Sequence, residues 1–282
     1  MEYDDDPTDG RFRARQRRRP RGRARVDDLR DGGDDDPLAP LRRRGWVEEI
    51  VAELKSGKEA DVVVADGSAG RIVLKIHRDA AAGGFRPDPV YLDGRRVPRG
   101  RLRKVLDRGA RSGLEPELAL WVLHETLMLH TLAGGGVAVP EPLLGPGAHE
   151  ILEAGRVVPM RFVGEEDGTP APRLSDAALG PGDAADAWRQ TLDATAKMLR
   201  LGVVHGDLSA WNLLWHEGRI VVIDVPQAVE VSASPHAALL FSRDVRSLAG
   251  SVRHLGIKAD PEQLEAELRG RAGLPPHGPF PR

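Results

Sequence analysis

The spacing of apolar and polar positions changes several times along this chain, and each change marks an element. Residues 1 to about 44 show no period, only charged blocks with single apolar residues between them, which predicts a disordered arm. From Gly45 the pattern tightens. Trp46 to Leu54 carries apolar residues at mixed spacing and runs into the turn-forming Ser56-Gly57-Lys58-Glu59-Ala60. Two β-branched runs follow, Val62–Val64 and Ile72–Ile76, around Asp66-Gly67-Ser68-Ala69-Gly70, so this part reads as a strand meander. Residues 78–113 lose periodicity and are rich in Gly, Pro and Arg, which predicts a flexible loop. Helical spacing returns over Leu114 to Leu132. Short strands are expected over Glu150–Glu153 and Val157–Val163. Helices are expected over Ala184–Leu201, Pro235–Leu255 and Pro261–Arg271. Between the first two, Leu213–Trp215 and Arg219–Ile223 form a hairpin about Glu217-Gly218. The proline-rich stretch 274–282 reads as a loose tail. The sum is an α+β chain with a β-rich part over 45–163 and a helical part over 164–273.

Composition narrows the class. The 282 residues suffice for one large domain, or for two lobes sharing a cleft. A hydrophobic fraction of 40% beside a charged fraction of 30% fits a folded protein with a disordered segment. No apolar run approaches the roughly 20 residues of a membrane span, and Met1 to Gly10 is acidic without an apolar stretch. With no cysteine, disulfides and thiolate metal sites are excluded, and a cytoplasmic location is the expectation. The net charge of −2 gives no global attraction for nucleic acid. Locally, Arg11 to Arg25 holds nine arginines in fifteen positions, a candidate arm for RNA or ribosome contact; the alternative is a solubilising tail.

The chemistry concentrates in Val203 to Glu230. Asp207 stands five residues before Asn212, and Asp224 closes the second strand of the hairpin, so all three gather at one end of it. A carboxylate to take a hydroxyl proton, with an amide and a second carboxylate to hold Mg²⁺ against polyphosphate, is what phosphoryl transfer requires. Elsewhere, Lys75 interrupts the apolar strand Ile72–Ile76 in a chain with only six lysines among 41 basic residues. Glu125 lies on the apolar face formed by Leu118, Trp121, Met128 and Leu132, where a carboxylate needs a neutralising partner. Lys75 is the expected one.

Ser56-Gly57-Lys58-Glu59-Ala60, Pro170-Ala171-Pro172-Arg173-Leu174, His205-Gly206-Asp207-Leu208-Ser209 with Asn212, Ile223-Asp224-Val225-Pro226-Gln227-Ala228-Val229 and Pro235-His236-Ala237 through Arg243-Asp244 together resemble the RIO family of atypical serine/threonine protein kinases, over about Trp46 to His254. The resemblance implies a two-lobed protein-kinase-like fold that binds ATP and Mg²⁺ between its lobes and phosphorylates a protein substrate. Its small helical C-lobe would lack the usual peptide-docking helices. By motif match, Ser56 and Lys58 would contact phosphates, Lys75 would pair with Glu125 and the phosphates, Asp207 would be the catalytic base, and Asn212 and Asp224 would bind metal. The backbones of Arg161 and Val163 would meet adenine. The family's loop autophosphorylation has no counterpart here, since residues 78–111 contain no Ser or Thr. Two other functions remain open: an ATP-driven conformational switch in ribosome assembly, and a small-molecule phosphotransferase of the aminoglycoside type, whose sites also read H-G-D-x₄-N.

Overall fold

The computed structural model describes residues 29–30, 36–57, 59–78 and 114–280. The arginine run 11–25, the loop 79–113 and Lys58 lie outside the described residues.

A four-stranded antiparallel sheet in the order β1-β2-β3-β4 forms the first lobe. Its strands are β1 (Glu49–Ser56), β2 (Ala60–Gly67), β3 (Gly70–His77) and β4 (Val157–Arg161). The short helix α1 (Ala39–Arg43) precedes it, and α2 (Pro116–Gly134) packs against it. Val63, Ile72 and Leu74 of the sheet share a core with Val122, Leu129 and Leu132 of α2. Helix α2 begins with Pro116 in its first turn, where the missing N–H has no partner to lose. Gly67 is required at its place, because a Cβ there would lie 2.4 Å from the Trp46 carbonyl oxygen.

The second lobe is mostly helical. It comprises α4 (Pro181–Arg200), α5 (Ala237–Ser251) and α6 (Pro261–Arg271), after the short α3 (Ala148–Glu153). Two small ladders pair β5 (Val203–Val204) with β8 (Val229–Glu230), and β6 (Leu213–His216) with β7 (Arg219–Val222). The β6–β7 turn takes φ of 47° at Glu217 and 72° at Gly218, the left-handed pair that matches strand twist. A second core of Leu192, Leu199, Phe241, Val245, Leu264 and Leu268 ties α4, α5 and α6 together.

The structure corrects the sequence reading in several places. Residues 148–153 form a helix, because Ile151 and Leu152 are adjacent and both buried, which strand alternation cannot achieve. Strand β4 stops at Arg161: Phe162 N still reaches the Arg71 carbonyl of β3 at 3.4 Å, but Val163 turns away and its carbonyl accepts from Ala171 N. Helix α5 is shorter than expected, ending at Ser251 with a 3₁₀ turn over Arg253–Leu255. Part of the expected arm is folded: Leu29, Leu38 and Leu41 are buried in the main core, and Arg42 binds Asp36 and the Leu29 carbonyl. The end of the chain is tied down as well. Arg269, 1% exposed, lies over the rings of Phe241 and Phe280 and donates to the carbonyls of Pro275 and Gly278.

Candidate active site

Between the lobes lies a cleft of about 770 Å³. The sheet contributes Lys55, Val62, Val73 and Lys75; α2 contributes Glu125; the second lobe contributes Asp207, Asn212, Leu214 and Asp224.

Lys75 projects from β3 and is shared. Its Nζ stands 2.7 Å from Glu125 Oε1 and 2.6 Å from Asp224 Oδ1. Glu125 is 2% exposed and takes a second hydrogen bond from His77 Nε2 at 2.8 Å. Burial alone opposes the charged form of all three groups. At Lys75 desolvation is outweighed by Glu125 and Asp224, which hold the ammonium above its ordinary range. At Glu125 desolvation is outweighed by Lys75 and His77, which hold the carboxyl below its ordinary range. Lys75 holds the Asp224 carboxyl down at about 2. Glu59, from the β1–β2 turn, moves the other way: desolvation and then Asp224 push it up.

The loop between β5 and β6 is fixed from below. Asp244 on α5 accepts from Gly206 N at 2.8 Å and Leu208 N at 2.9 Å. Arg243 donates to the Gly206 carbonyl. The His205 ring donates through Nε2 to the Ile223 carbonyl at 3.1 Å, which leaves Nδ1 to accept from Asp207 N at 3.3 Å. The Ser251 hydroxyl accepts from Ala210 N at 2.9 Å. On this support Asp207 is exposed to the cleft, and Asn212 Nδ2 donates to its carbonyl at 2.8 Å and to its Oδ2 at 3.1 Å. Ile223 N donates to Asn212 O at 3.0 Å, which ties Asn212 to the strand end immediately before Asp224. Asp224 itself takes a left-handed φ of 64°, a strained backbone at the point where the strand turns its carboxylate back into the cleft.

Seven of the nine residues singled out in the sequence line the cleft: Lys75, Glu125, Arg161, Val163, Asp207, Asn212 and Asp224. Ser56 does not. Its hydroxyl donates to Asp61 Oδ1 at 2.7 Å and accepts from Arg78 Nη2 at 2.9 Å, on the other face of the sheet. Lys58 is outside the described residues. At the lobe junction, Arg161 N donates to Glu141 O at 2.8 Å and Val163 O accepts from Ala171 N at 3.1 Å.

Sequence reasoning gave no site role to His77, Asp244, Lys55 or Glu59, although Glu59 and Asp244 stand in the motifs that carry the resemblance. Asp244 carries the same signal that exposes Glu125, a carboxylate between the apolar Phe241, Val245 and Leu248 at helical spacing. His77 carries no such signal, because a histidine ending a strand is ordinary.

A family model described as RIO domain matches residues 62–264. Among relatives, the RIO-type serine/threonine-protein kinase Rio1 of Haloferax volcanii is 32% identical over 236 residues, covering 83% of this chain and 73% of the relative. The serine/threonine-protein kinase RIO1 of Caenorhabditis elegans is 30% identical over 83% of this chain and 43% of its own length. The human protein of the same name is 29% identical over 79% of this chain and 36% of its own length. The chain thus spans less than half the length of these two relatives.

Proposed function

Because the chain belongs to the RIO domain family, we propose that it transfers the γ-phosphoryl group of ATP to a serine or threonine hydroxyl of a protein. The observation that carries this reading is the convergence of Lys75, Glu125 and Asp224 within 2.7 Å contacts on a cleft that also exposes Asp207 and Asn212. Asp207 is the base: it is the exposed carboxylate of the loop, and Asn212 fixes its Oδ2 so that Oδ1 faces an incoming hydroxyl. Glu125 and His77 keep the Lys75 ammonium in place over the phosphates.

The donor set fits Mg²⁺. Asn212 uses its Nδ2 toward Asp207, which turns its carbonyl oxygen elsewhere, and Asp224 retains a second oxygen beside the one on Lys75. Among the described residues no group of three or more His, Cys, Asp or Glu could hold a metal by itself. Two oxygen donors completed by phosphate and water are the pattern of a Mg²⁺–nucleotide site. When bound, the ion neutralises charge that builds on the transferring phosphoryl group. For adenine, Arg161 C=O and Val163 N–H are the groups to use, since Arg161 N–H and Val163 C=O are taken within the protein.

Among the described residues no helix is long and apolar enough to cross a membrane, and we assign the activity to the cytoplasm, where a cysteine-free chain has no need of disulfides. The arginine run 11–25 is proposed to contact RNA or the ribosome.

A second reading, an ATP-driven switch on a ribosomal particle, is favoured by the one Lys75 ammonium that ties the sheet and α2 to Asp224 of the second lobe, where nucleotide binding would alter how the lobes are joined. Radiolabelled ATP incubated with the protein and either cell lysate, ribosomes or aminoglycosides separates the readings. Label in a protein over many turnovers is the expected result. Phosphate release that requires ribosomes, with no labelled protein, would favour the switch, and label in the aminoglycoside would replace both.

A further inference from the structure

The sheet has a second lysine on the cleft face. In the β1–β2 register Lys55 is opposite Val62, and in the β2–β3 register Val62 is opposite Lys75. Residues opposite one another across a sheet point to the same face, so Lys55, Val62 and Lys75 form one rung directed into the cleft, which all three line. Two strand spacings put the Lys55 and Lys75 backbones about 10 Å apart, with Val62 between them. The next rung, Ser56 with Asp61 and Ile76, points to the opposite face, and there the Ser56 hydroxyl is held by Asp61 and Arg78.

We infer that Lys55 is a second phosphate-binding lysine, which meets the nucleotide's polyphosphate from the β1 side while Lys75 meets it from the β3 side. This assignment rests on the reading of the cleft as an ATP site and puts Lys55 in the place of Ser56 as the phosphate contact at the end of β1. Two observations support it. Strand alternation excludes Ser56 from the cleft and admits Lys55. Lys75 is bound to two carboxylates, so it brings little uncompensated positive charge to a polyphosphate, whereas Lys55 is an exposed ammonium on the same wall of the cleft. An ammonium on a flexible four-carbon stem can adjust to the position of the phosphates.

The test is calorimetric titration of the full-length chain with Mg²⁺-ATP and with adenosine, for the wild type, Lys55→Met, Lys55→Arg and Ser56→Ala. A charge-assisted contact predicts that Lys55→Met weakens ATP about tenfold or more and adenosine less than twofold, with the melting temperature of the free protein unchanged. Lys55→Arg should restore most of the ATP affinity, and Ser56→Ala should bind ATP as the wild type does. Equal ATP affinity in Lys55→Met and the wild type would overturn the assignment, as would an equal loss of ATP and adenosine. A wild-type chain that binds neither probe would instead defeat the nucleotide reading, and this assignment with it.

Discussion

Lys75 Nζ donates to Asp224 Oδ1 at 2.6 Å while it is bound to Glu125 Oε1 at 2.7 Å, so one ammonium joins the sheet, helix α2 and the second lobe. The two contacts differ in kind. Glu125 is sealed off at 2% exposure, whereas the Asp224 side chain is 35% exposed and shares its charge with water. Removing Lys75 therefore strands Glu125 far more than Asp224.

A melting cycle measures this. Lys75→Met should destabilise the fold by about 3 kcal/mol, since it leaves a buried carboxylate with only His77. Lys75→Met combined with Glu125→Leu should recover most of that loss, because apolar side chains can fill the buried half of the site, yet remain inactive. Strictly additive shifts would show that the pair does not couple in the free protein.

Asp224 gives a pH prediction with a definite sign. Its carboxyl sits at about 2 in the folded protein, below the ordinary 3.8, so the folded chain binds fewer protons there than the unfolded one. The stability it adds is complete above about pH 4 and is lost as pH falls through about 2. Denaturant midpoints of the wild type and Asp224→Asn, compared from pH 7 downward, should differ by a constant amount above pH 4 and converge toward pH 2. Because water screens the exposed part of the group, the constant difference should be modest. A gap that widens on acidification would reverse the assignment.

What the sequence discloses here is mostly local. Glu125 stands out because helical periodicity surrounds it with apolar residues, and Asp207, Asn212 and Asp224 stand out because a two-residue turn joins strands of readable length. The Lys75–Asp224 contact spans 149 positions and depends on how the lobes meet, which no local period encodes. Ser56 shows the limit most sharply. Between Glu53 and Lys55 the β1 register shifts, and such an irregularity decides which of two consecutive side chains faces the cleft. The motif shows that the turn is there but leaves its parity open. The short helix over 148–153 was equally hidden, since six residues carry too little periodicity to separate a helical turn from a strand.

Asp207→Asn keeps size and hydrogen-bonding shape while removing the proton acceptor. It should bind Mg²⁺-ATP with near wild-type affinity and lose phosphoryl transfer by two or more orders of magnitude. Asp224→Asn should instead weaken Mg²⁺-ATP binding itself, because the metal loses a ligand charge. Isothermal titration beside single-turnover kinetics distinguishes the two, and retained transfer in Asp207→Asn would remove that residue from the role of base.

The end of the chain should matter for stability and not for chemistry. Deleting residues 275–282 takes away the Phe280 ring and two carbonyl acceptors from the buried Arg269 guanidinium. The guanidinium would keep Glu265 and the Phe241 ring but lose its two carbonyl acceptors, which costs about 1 to 3 kcal/mol. The truncated protein should melt earlier yet turn over normally at low temperature. An unchanged melting temperature would mean that the tail merely rests on the surface.

Truncation at the other end separates the proposed arm from the fold. Leu29 is 1% exposed within the main core, and its carbonyl takes a hydrogen bond from Arg42, so the functional boundary of the arm lies before it. Deleting residues 1–26 removes the arginine run and should leave the melting temperature unchanged. If that run binds RNA, the same deletion should flatten the dependence of RNA or ribosome association on salt, because each phosphate neutralised by an arginine releases counterions whose number sets the slope. Extending the deletion to residue 33 removes Leu29 as well, and opening that part of the core should cost about 2 to 5 kcal/mol. Leu29→Ala in the full chain should reproduce the stability loss without touching the salt slope. A slope unaffected by loss of residues 1–26 would reduce the arginine run to a solubilising segment.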